Sequence, residues 1–293
     1  MPAPQATGDL VRRAAASGRG VLAFNFITLE HVEAILAGAE ASSAPVILQL
    51  SQNAAAYHGG RVRPVTAAAL ALAQTATVEA ALHLDHVEDM DLLRQAADAG
   101  FSSAMFDAGA RPYEDNVAAT RAAADWAHGA GLWLEAELGH VGGKPGTPAS
   151  AHTAGVRTDP AEATDYVHRT GVDALAVAVG SSHAMTSRSA TLDHDLIAKL
   201  RAAVPVPLVL HGSSGLPDEE LRRAVGNGMV KFNVGTALNI AFTATVRDRL
   251  QRDGAVVDPR PYLAAARDAM ADTVRHLTAA LDEAAGDDRG GDH

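Results

Sequence analysis

Short apolar runs recur along the chain, and stretches with helical spacing separate them. Each run is six or seven residues long and mostly aliphatic, which is typical of strands buried on both faces of a parallel sheet. The runs are VLAFNF (21–26), PVILQLS (45–51), ALHLDH (81–86), SSAMFD (102–107), LWLEAEL (132–138), ALAVAVG (174–180), PLVLHG (207–212) and VKFNVG (230–235).

The intervening segments, such as LEHVEAILAGAEAS and VEDMDLLRQAADAG, have the apolar spacing of helices, and several end in Gly. Eight strand–helix units in about 250 residues predict an α/β fold of the (β/α)8 TIM-barrel type. The alternative is an open doubly wound sheet, which would need a Gly-rich turn after the first strand. The sequence FNFITLE follows instead, so we predict one barrel domain over residues 1–293.

Two segments fall outside this pattern. The stretch 139–159, GHVGGKPGTPASAHTAGVRTD, follows the fifth strand, and a loop of that length in a compact barrel is usually functional. We therefore predict that it is a catalytic loop. A polar, Gly-rich tail begins at about residue 285.

Composition excludes several classes of function. The 293-residue chain has a net charge of −11 and no cysteine. The negative charge argues against nucleic acid as a partner. The lack of cysteine rules out disulfides, thiolate zinc sites and a cysteine nucleophile. No apolar run reaches the roughly 18 residues of a membrane span, so we expect a cytoplasmic protein with no membrane partner.

Polar side chains stand where the predicted strands end, the position at which barrel enzymes carry their chemistry. These residues are Asn25, Gln49, Ser51, Asp85, His86, Asp107, Glu137, His183, His211 and Asn233. Three imidazoles on different strands suit a catalytic zinc site with open coordination positions. Asp85, beside the first imidazole, could act as a base. His83 has the opposite strand parity to His86, so we interpret it as scaffold.

Two turns have the composition of an anion site. HGSSGLPDEE places Gly212, Ser213 and Ser214 between the seventh strand and a helix, and NVGTAL places Gly235 and Thr236 before the next helix. Backbone N–H groups at such turns bind phosphate. The loops after strands seven and eight are the usual phosphate site of this barrel class.

With these motifs in order, the sequence resembles the class II, zinc-dependent ketose-bisphosphate aldolases of the fructose- and tagatose-bisphosphate type. The resemblance runs from about residue 21 to 275. The segments that carry it are AFNF, PVILQLS, HLDH, AMFDAG, EAELGHVGG, DALAVAVGSSH, VPLVLHGSSG, KFNVGTAL and DPRPYL.

The resemblance implies a reaction and a set of roles. It implies a carbon–carbon bond made or cleaved between dihydroxyacetone phosphate and an aldehyde through a zinc-stabilised enediolate. By this resemblance His86, His183 and His211 are the zinc ligands, although cobalt or another divalent ion could also serve. Asp85 moves the C4 hydroxyl proton, and Asn233 contacts the enediolate.

The resemblance also implies further binding positions. Asp107 and Glu137 match acidic residues near a secondary metal position. Arg260 matches an arginine that reaches the second phosphate of the sugar from a neighbouring subunit, which implies a homodimer or homotetramer. The phosphate and substrate positions, two of which lie in a loop that can also hold Na⁺ or K⁺, are Asn25, Gln49, Ser51, Gly180, Ser182, Gly212, Ser213, Ser214, Gly235 and Thr236.

The sequence departs from the family at two points. The loop glutamate that moves the proton on the ketone carbon is replaced by Pro145, and no Asp or Glu occurs between Lys144 and Thr158. Ala184 stands where the family usually has Gly. Two readings keep an aldolase: one in which His152 or a water carries that proton, and one in which the enzyme takes another, acidic acceptor.

Two further readings stay open at this point. A weakly active phospho-sugar binding protein could keep the zinc and phosphate sites, but it would have no need of Asp85. A metal-dependent hydrolase or isomerase could use the same barrel, although a His-rich site beside a phosphate slot favours the aldol reaction.

Overall fold

A computed structural model describes residues 5–139, 141 and 157–287, with side chains described as far as residue 282. Within this part of the chain, eight parallel strands close into a barrel in sequence order, with β8 paired to β1. The predicted TIM barrel is confirmed. The strands are β1 Val21–Asn25, β2 Val46–Ser51, β3 Ala80–Val87, β4 Ser103–Phe106, β5 Trp133–Leu138, β6 Ala174–Val177, β7 Leu208–Leu210 and β8 Met229–Val234.

Helices precede, connect and follow these strands. A short 3-10 helix, Ser213–Gly215, follows β7. The α-helices are α1 Thr7–Ala16, α2 Leu29–Ala41, α3 Gln52–Tyr57, α4 Val62–Ala73, α5 Met90–Asp98, α6 Tyr113–Gly129, α7 Pro160–Thr170, α8 His194–Ala203, α9 Asp218–Gly226, α10 Thr236–Arg252 and α11 Arg260–Asp287. Among the described residues, no helix is both long enough and apolar enough to cross a membrane.

The apolar core forms two layers because successive side chains of a strand point to opposite faces. The outer layer packs the strands against the surrounding helices and includes buried residues such as Phe24, Leu48 and Leu84. The inner layer fills the N-terminal half of the barrel with Ala23, Ile47 and neighbouring side chains. The barrel is therefore a packed core, and most of the polar side chains in its interior lie towards the C-terminal mouth.

Helix α1 closes the N-terminal end of the barrel. Its Leu10 and Val11 are buried in the same cluster as Ile47 and Trp133. Gly8 allows this close approach, since a Cβ at that position would lie 2.7 Å from Cδ1 of Trp133. The predicted catalytic loop, 139–159, and the end of the tail fall mostly outside the described residues.

Candidate active site

An irregularity at the end of β3 brings two adjacent residues to the barrel mouth. The pairing of β3 with β4 shifts register between Leu84 and Val87, and His86 has a left-handed backbone with φ of 51°. In a regular strand Asp85 and His86 would face opposite sides of the sheet. The bulge turns His86 towards the interior, so both side chains line one cavity of about 280 Å³.

Three histidines from different strands meet in this mouth. The ring centroids of His86 and His183 are 5.2 Å apart, those of His86 and His211 4.8 Å, and those of His183 and His211 5.6 Å. One ligand atom from each of them and one from Glu137 all lie within 4.8 Å of one another. The sequence-predicted triad is thus brought together, with a carboxylate beside it.

Carboxylates hold two of these imidazoles in orientation. Nδ1 of His86 lies 3.0 Å from Oδ2 of Asp107, which leaves Nε2 of His86 for binding a metal ion. Nε2 of His211 lies 3.0 Å from Oε1 of Glu135, and its Nδ1 lies 2.8 Å from Oε2 of Glu137. This carboxylate support is what metal-binding histidines require. The nitrogen donors and their spacing therefore fit a divalent zinc site.

The electrostatics of the mouth are those of a charge cluster shielded from water. Burial disfavours the charged form of His211, but its hydrogen bonds to Glu135 and Glu137 outweigh this effect and raise its pKa to about 9. Burial also tends to raise the pKa of Glu135, but the Lys231 ammonium and the His211 hydrogen bond lower that pKa to about 2. These charges are therefore mutually dependent.

Asp85 is held by amides on both sides. Asn25 donates its Nδ2 hydrogen to Oδ2 of Asp85 at 2.9 Å, and Nδ2 of Asn233 lies 3.5 Å from Oδ1. Gln49 in turn donates to Oδ1 of Asn25 at 3.3 Å. Burial tends to raise the pKa of Asp85, but the positive charges around it, first that of His86, hold this pKa well below the usual range. The carboxylate is therefore ionised and fixed in direction.

His83 lies below this site and is fully buried. Its Nδ1 is 2.7 Å from Oγ of Ser103, whose hydroxyl donates to Thr7 of α1. Burial and the Lys231 charge lower the pKa of His83 to about 3, so it is neutral. It lies outside the cluster of possible metal ligands, which supports its interpretation as scaffold.

Sequence reasoning missed Glu135 and Lys231. Both are fully buried, and Nζ of Lys231 lies 2.9 Å from Oε2 of Glu135. Each lies two positions before a predicted site residue, Glu137 and Asn233 respectively. The strand period of two could have found them, since a charged residue of inward parity in an apolar run must have a partner inside the barrel.

The predicted anion turns flank the same cavity. Gly212, Ser214 and Thr236 line it, as does Gly235 at the start of α10. Gly212 has φ of 70°, and a Cβ on it would lie 2.4 Å from the Ser182 carbonyl oxygen, so the β6 and β7 loops are in close contact. Ser213 is turned away, because its buried hydroxyl donates to the Leu210 carbonyl.

Other predicted residues are placed differently. Ser51 lines the cavity and caps α3, since its Oγ accepts from the Ala54 N–H at 3.1 Å. Asp107 lies behind His86, so its predicted role at a secondary metal stays a prediction. Gly180, with φ of 126°, lies in the loop before His183, and the Na⁺ or K⁺ predicted there also stays a prediction. Arg260 is exposed and bonded to Asp258, and it is not among the residues that line the cavity.

The two departures differ in what the structure describes. Ala184 also lines the cavity and has φ of 56°, the left-handed conformation in which Gly is favoured. Lys144, Pro145 and His152 lie outside the described residues. The predicted role of His152 as a proton carrier therefore stays a prediction.

The chain matches a known protein family over most of its length. The family model for class-II fructose-bisphosphate aldolase matches residues 5–285. The fructose-bisphosphate aldolase of Geobacillus stearothermophilus is 41% identical over 252 residues, which cover 86% of this chain and 87% of that one. That of Thermus caldophilus is 37% identical over 290 residues, covering 91% and 94%.

Solved structures are similar in fold. The YdjI aldolase from Escherichia coli K12 superposes with a TM-score of 0.81 at 28% identity, covering 97% of this chain and 100% of that one. The fructose-bisphosphate aldolase from Campylobacter jejuni has a TM-score of 0.80 at 22% identity, covering 94% and 93%, and shows the fold alone. The chain therefore belongs to the class-II fructose-bisphosphate aldolase family.

Proposed function

We propose that this protein makes or cleaves the carbon–carbon bond between dihydroxyacetone phosphate, or a related ketone phosphate, and an aldehyde. Family membership supports the reaction type. The observation that carries it to this chain is the convergence of His86, His183 and His211 beside Asp85 in one cavity. A carboxylate base next to three imidazoles that can bind a divalent metal is what enolisation and aldol cleavage need.

His86, His183 and His211 are the proposed metal ligands, and zinc is the proposed metal. When bound, zinc supplies the positive charge that stabilises the enediolate of the ketone phosphate. Glu135 and Asp107 hold the imidazoles of His211 and His86 through their other ring nitrogens. Their carboxylates therefore keep the metal-binding nitrogens aimed at one point.

Asp85 is the proposed base for the C4 hydroxyl. In the cleavage direction its carboxylate accepts the hydroxyl proton as the C3–C4 bond breaks, and in synthesis it returns that proton. The hydrogen bond from Asn25 leaves Oδ1 of Asp85 on the Asn233 side. Asn233 thus lies where its Nδ2 hydrogens can contact both Asp85 and an enediolate oxygen.

The turns after β7 and β8 are the proposed phosphate site. The N-terminus of the 17-residue helix α10 begins at Thr236, and the Ser214 hydroxyl accepts from the Ala237 N–H at 3.1 Å. A helix N-terminus favours negative charge through its N–H groups and dipole. A phosphate held there would place the ketone carbons of the substrate towards Asp85.

The assembly is proposed to be a homodimer or homotetramer. Arg260 can reach a phosphate only from a neighbouring subunit if it has the family role, and its side chain is 88% exposed. Ile240, Leu250 and Val257 are exposed apolar residues on α10 and after it. We also propose a cytoplasmic location, because charged sugar phosphates do not cross membranes unaided. Analytical ultracentrifugation of the purified protein tests the assembly.

Metal removal tests the function directly. Chelation should lower cleavage of fructose 1,6-bisphosphate or tagatose 1,6-bisphosphate by roughly a thousand-fold, since a Lewis acid supplies several kcal/mol. Zinc should restore the rate. His211→Ala should show the same loss with little bound zinc, whereas His168→Ala, an exposed change on α7, should have none. A chelator-resistant rate with full activity of His211→Ala would refute the proposal.

The proton on the ketone carbon needs a separate experiment, because Pro145 replaces the family's loop glutamate. Solvent deuterium exchange into dihydroxyacetone phosphate can be followed by NMR with and without chelator. Exchange that needs metal would show that another group, such as His152 or a water, serves as the carrier. No exchange at full metal occupancy would instead indicate that the enzyme uses a different ketone donor.

A further inference from the structure

A fully buried lysine lies next to the proposed site. Lys231 faces the barrel interior two residues before Asn233 on β8, and its side chain is 0% exposed. Its Nζ donates to Oδ1 of Asn233 at 2.7 Å and lies 2.9 Å from Oε2 of Glu135. One ammonium group thus contacts two strands of the barrel and two functional neighbours.

Packing alone does not explain a lysine here. An ion pair taken out of water loses much of its hydration, and apolar residues of similar volume are usually as stable or more stable. The adjacent interior positions of the barrel, such as Val21, Ile47 and Val209, are apolar. The charge at position 231 therefore calls for a role that Met or Leu could not fill.

The contact with Asn233 defines which way its amide points. A lysine ammonium has donors and no acceptor, whereas an asparagine amide has one oxygen acceptor and one NH₂ donor group. Oδ1 of Asn233 must therefore face Lys231. The NH₂ group then faces Asp85, whose Oδ1 is 3.5 Å away, and the cavity that Asn233 lines.

The contact with Glu135 acts on the metal side in the same way. Oε2 of Glu135 is engaged by Lys231, and Oε1 accepts from Nε2 of His211 at 3.0 Å. Since an ionised carboxylate only accepts, Nε2 of His211 carries a hydrogen that faces Glu135, and Nδ1 is the ring nitrogen on the side of the ligand group. Lys231 neutralises the carboxylate that maintains this arrangement.

We propose that Lys231 is a positioning residue that orients the Asn233 amide towards the enediolate while it anchors Glu135 behind the metal ligand His211. This inference rests on the proposed function. It predicts that Lys231 affects turnover through Asn233, so that replacing Lys231 should have little further effect once Asn233 has been replaced.

A double-mutant cycle tests this coupling. Lys231→Met keeps the chain length and removes the donor. Alone it should lower kcat roughly 10- to 100-fold with KM changed less than about 3-fold. The reason is that the contact of the Asn233 amide with the enediolate, which this change weakens, forms mainly in the transition state. In the Asn233→Ala background the same change should lower kcat less than about 3-fold further. Lys199→Met, an exposed change on α8, is the matched control and should have no effect.

A binding measurement gives a readout that does not depend on turnover. A phosphorylated hydroxamate resembles the enediolate, and its affinity can be measured by calorimetry on zinc-loaded protein. Lys231→Met and Asn233→Ala should weaken its binding by similar factors, and the double variant should be no weaker than Asn233→Ala. Affinity for inorganic phosphate should be unchanged, and all variants are compared at equal zinc content, since the contact of Lys231 with Glu135 also acts on the ligand His211.

Failure of the inference and failure of the proposed function look different. Equal losses from Lys231→Met with and without Asn233, in kcat or in hydroxamate affinity, would overturn the positioning role while wild-type activity still supports the aldolase. An inactive wild type would refute the function, and the binding cycle would still judge Lys231. If Lys231→Met does not fold, Glu135→Gln/Lys231→Met, which removes both charges, is compared with Glu135→Gln, each with and without Asn233→Ala.

Discussion

The two ends of the barrel interior have opposite chemistry. At the N-terminal end, Val21, Ala23, Ile47 and Trp133 form an apolar layer closed by α1. At the C-terminal end, a cavity of about 280 Å³ is bordered by histidines, amides and Asp85. The same strands therefore have two roles: their first residues stabilise the barrel, and their last residues carry the chemistry.

Charge is carried into the interior only where it is compensated. Glu135, Lys231 and His211 are each fully buried, and each lies within 3.0 Å of another member of the group. Below them the interior returns to apolar side chains and the neutral His83. Changes at the mouth should therefore affect turnover more than folding, and changes at the closed end should do the reverse.

The largest effect should come from Asp85→Asn. The amide keeps the shape of Asp85 but cannot take a proton, so kcat should fall roughly 10²- to 10⁴-fold. Steady-state kinetics with zinc analysis should show this loss at unchanged zinc content and unchanged thermal unfolding. Asp91→Asn, an exposed change on α5, should leave kcat within error. A near-normal rate for Asp85→Asn would remove Asp85 as the base.

Trp133→Ala tests whether the closed end of the barrel contributes to stability and not to turnover. It leaves a cavity between β5 and α1, and the free energy of unfolding should fall by about 3 kcal/mol. Denaturant unfolding measures this loss, while kcat per folded molecule should stay within about 2-fold. Trp126→Ala, at a partly exposed position on α6, should cost less stability. A large loss of kcat in folded Trp133→Ala would show that the two ends are coupled.

The buried His83 should make the free energy of unfolding depend on pH. Its pKa is about 3 when folded and near 6.5 when unfolded, so the unfolded chain binds more protons and stability falls as pH drops from about 6.5 towards 3. Between pH 7 and 5 this contribution is about 2 kcal/mol.

Replacing His83 isolates that contribution. His83→Asn keeps a polar group near Ser103 and cannot titrate, so metal-free protein should lose about 2 kcal/mol less stability between pH 7 and 5 than the wild type. Denaturant unfolding at both pH values provides the comparison, and Asp85 and Glu135 are common to both proteins. His168→Asn should not alter the slope. An equal slope for wild type and His83→Asn would mean that His83 has the same pKa in the folded and the unfolded protein.

The smallest effect is expected at Ala184. Its left-handed backbone, with φ of 56°, is strained for a residue with a Cβ. Ala184→Gly should therefore stabilise the protein by up to about 1 kcal/mol, measured as a higher melting temperature. Ala202→Gly on the exposed side of α8 should do the opposite, because Gly weakens a helix. Destabilisation by Ala184→Gly would show that the Ala184 methyl group makes a packing contact worth more than the strain.

Prediction from the sequence succeeded where a local period carries the information. The alternation of apolar runs with helical segments predicted the eight strands to within a few residues, and the polar strand ends indicated the mouth. His83 was predicted to be scaffold because its parity differs from that of His86; the bulge brings both side chains into the interior, and the bond of the fully buried His83 to Ser103 supports the scaffold role. The same parity, applied to Glu135 and Lys231, would have placed two more charges inside the barrel.

Other features had no local signal. In a regular strand the side chains of Asp85 and His86 would lie on opposite faces. The bulge in the pairing of β3 with β4 brings His86 into the interior. Ser213 and Ser214 are adjacent, and the sequence predicted the same phosphate-binding role for both. The Ser213 hydroxyl donates to the Leu210 carbonyl, whereas the Ser214 hydroxyl faces the α10 N-terminus. The direction of each hydroxyl depends on the 3-10 turn, Ser213–Gly215, that contains both serines.

The order of elements, the apolar interior and the residue types at the barrel mouth could all be predicted from the sequence. Strand and helix periodicity and turn residues depend only on neighbouring positions in the chain. The tertiary structure decided which of those residues meet. His211 and Glu135 are 76 residues apart in the chain and 3.0 Å apart in space. Such contacts exist only after the barrel has closed, since closure alone brings the ends of separate strands to one mouth.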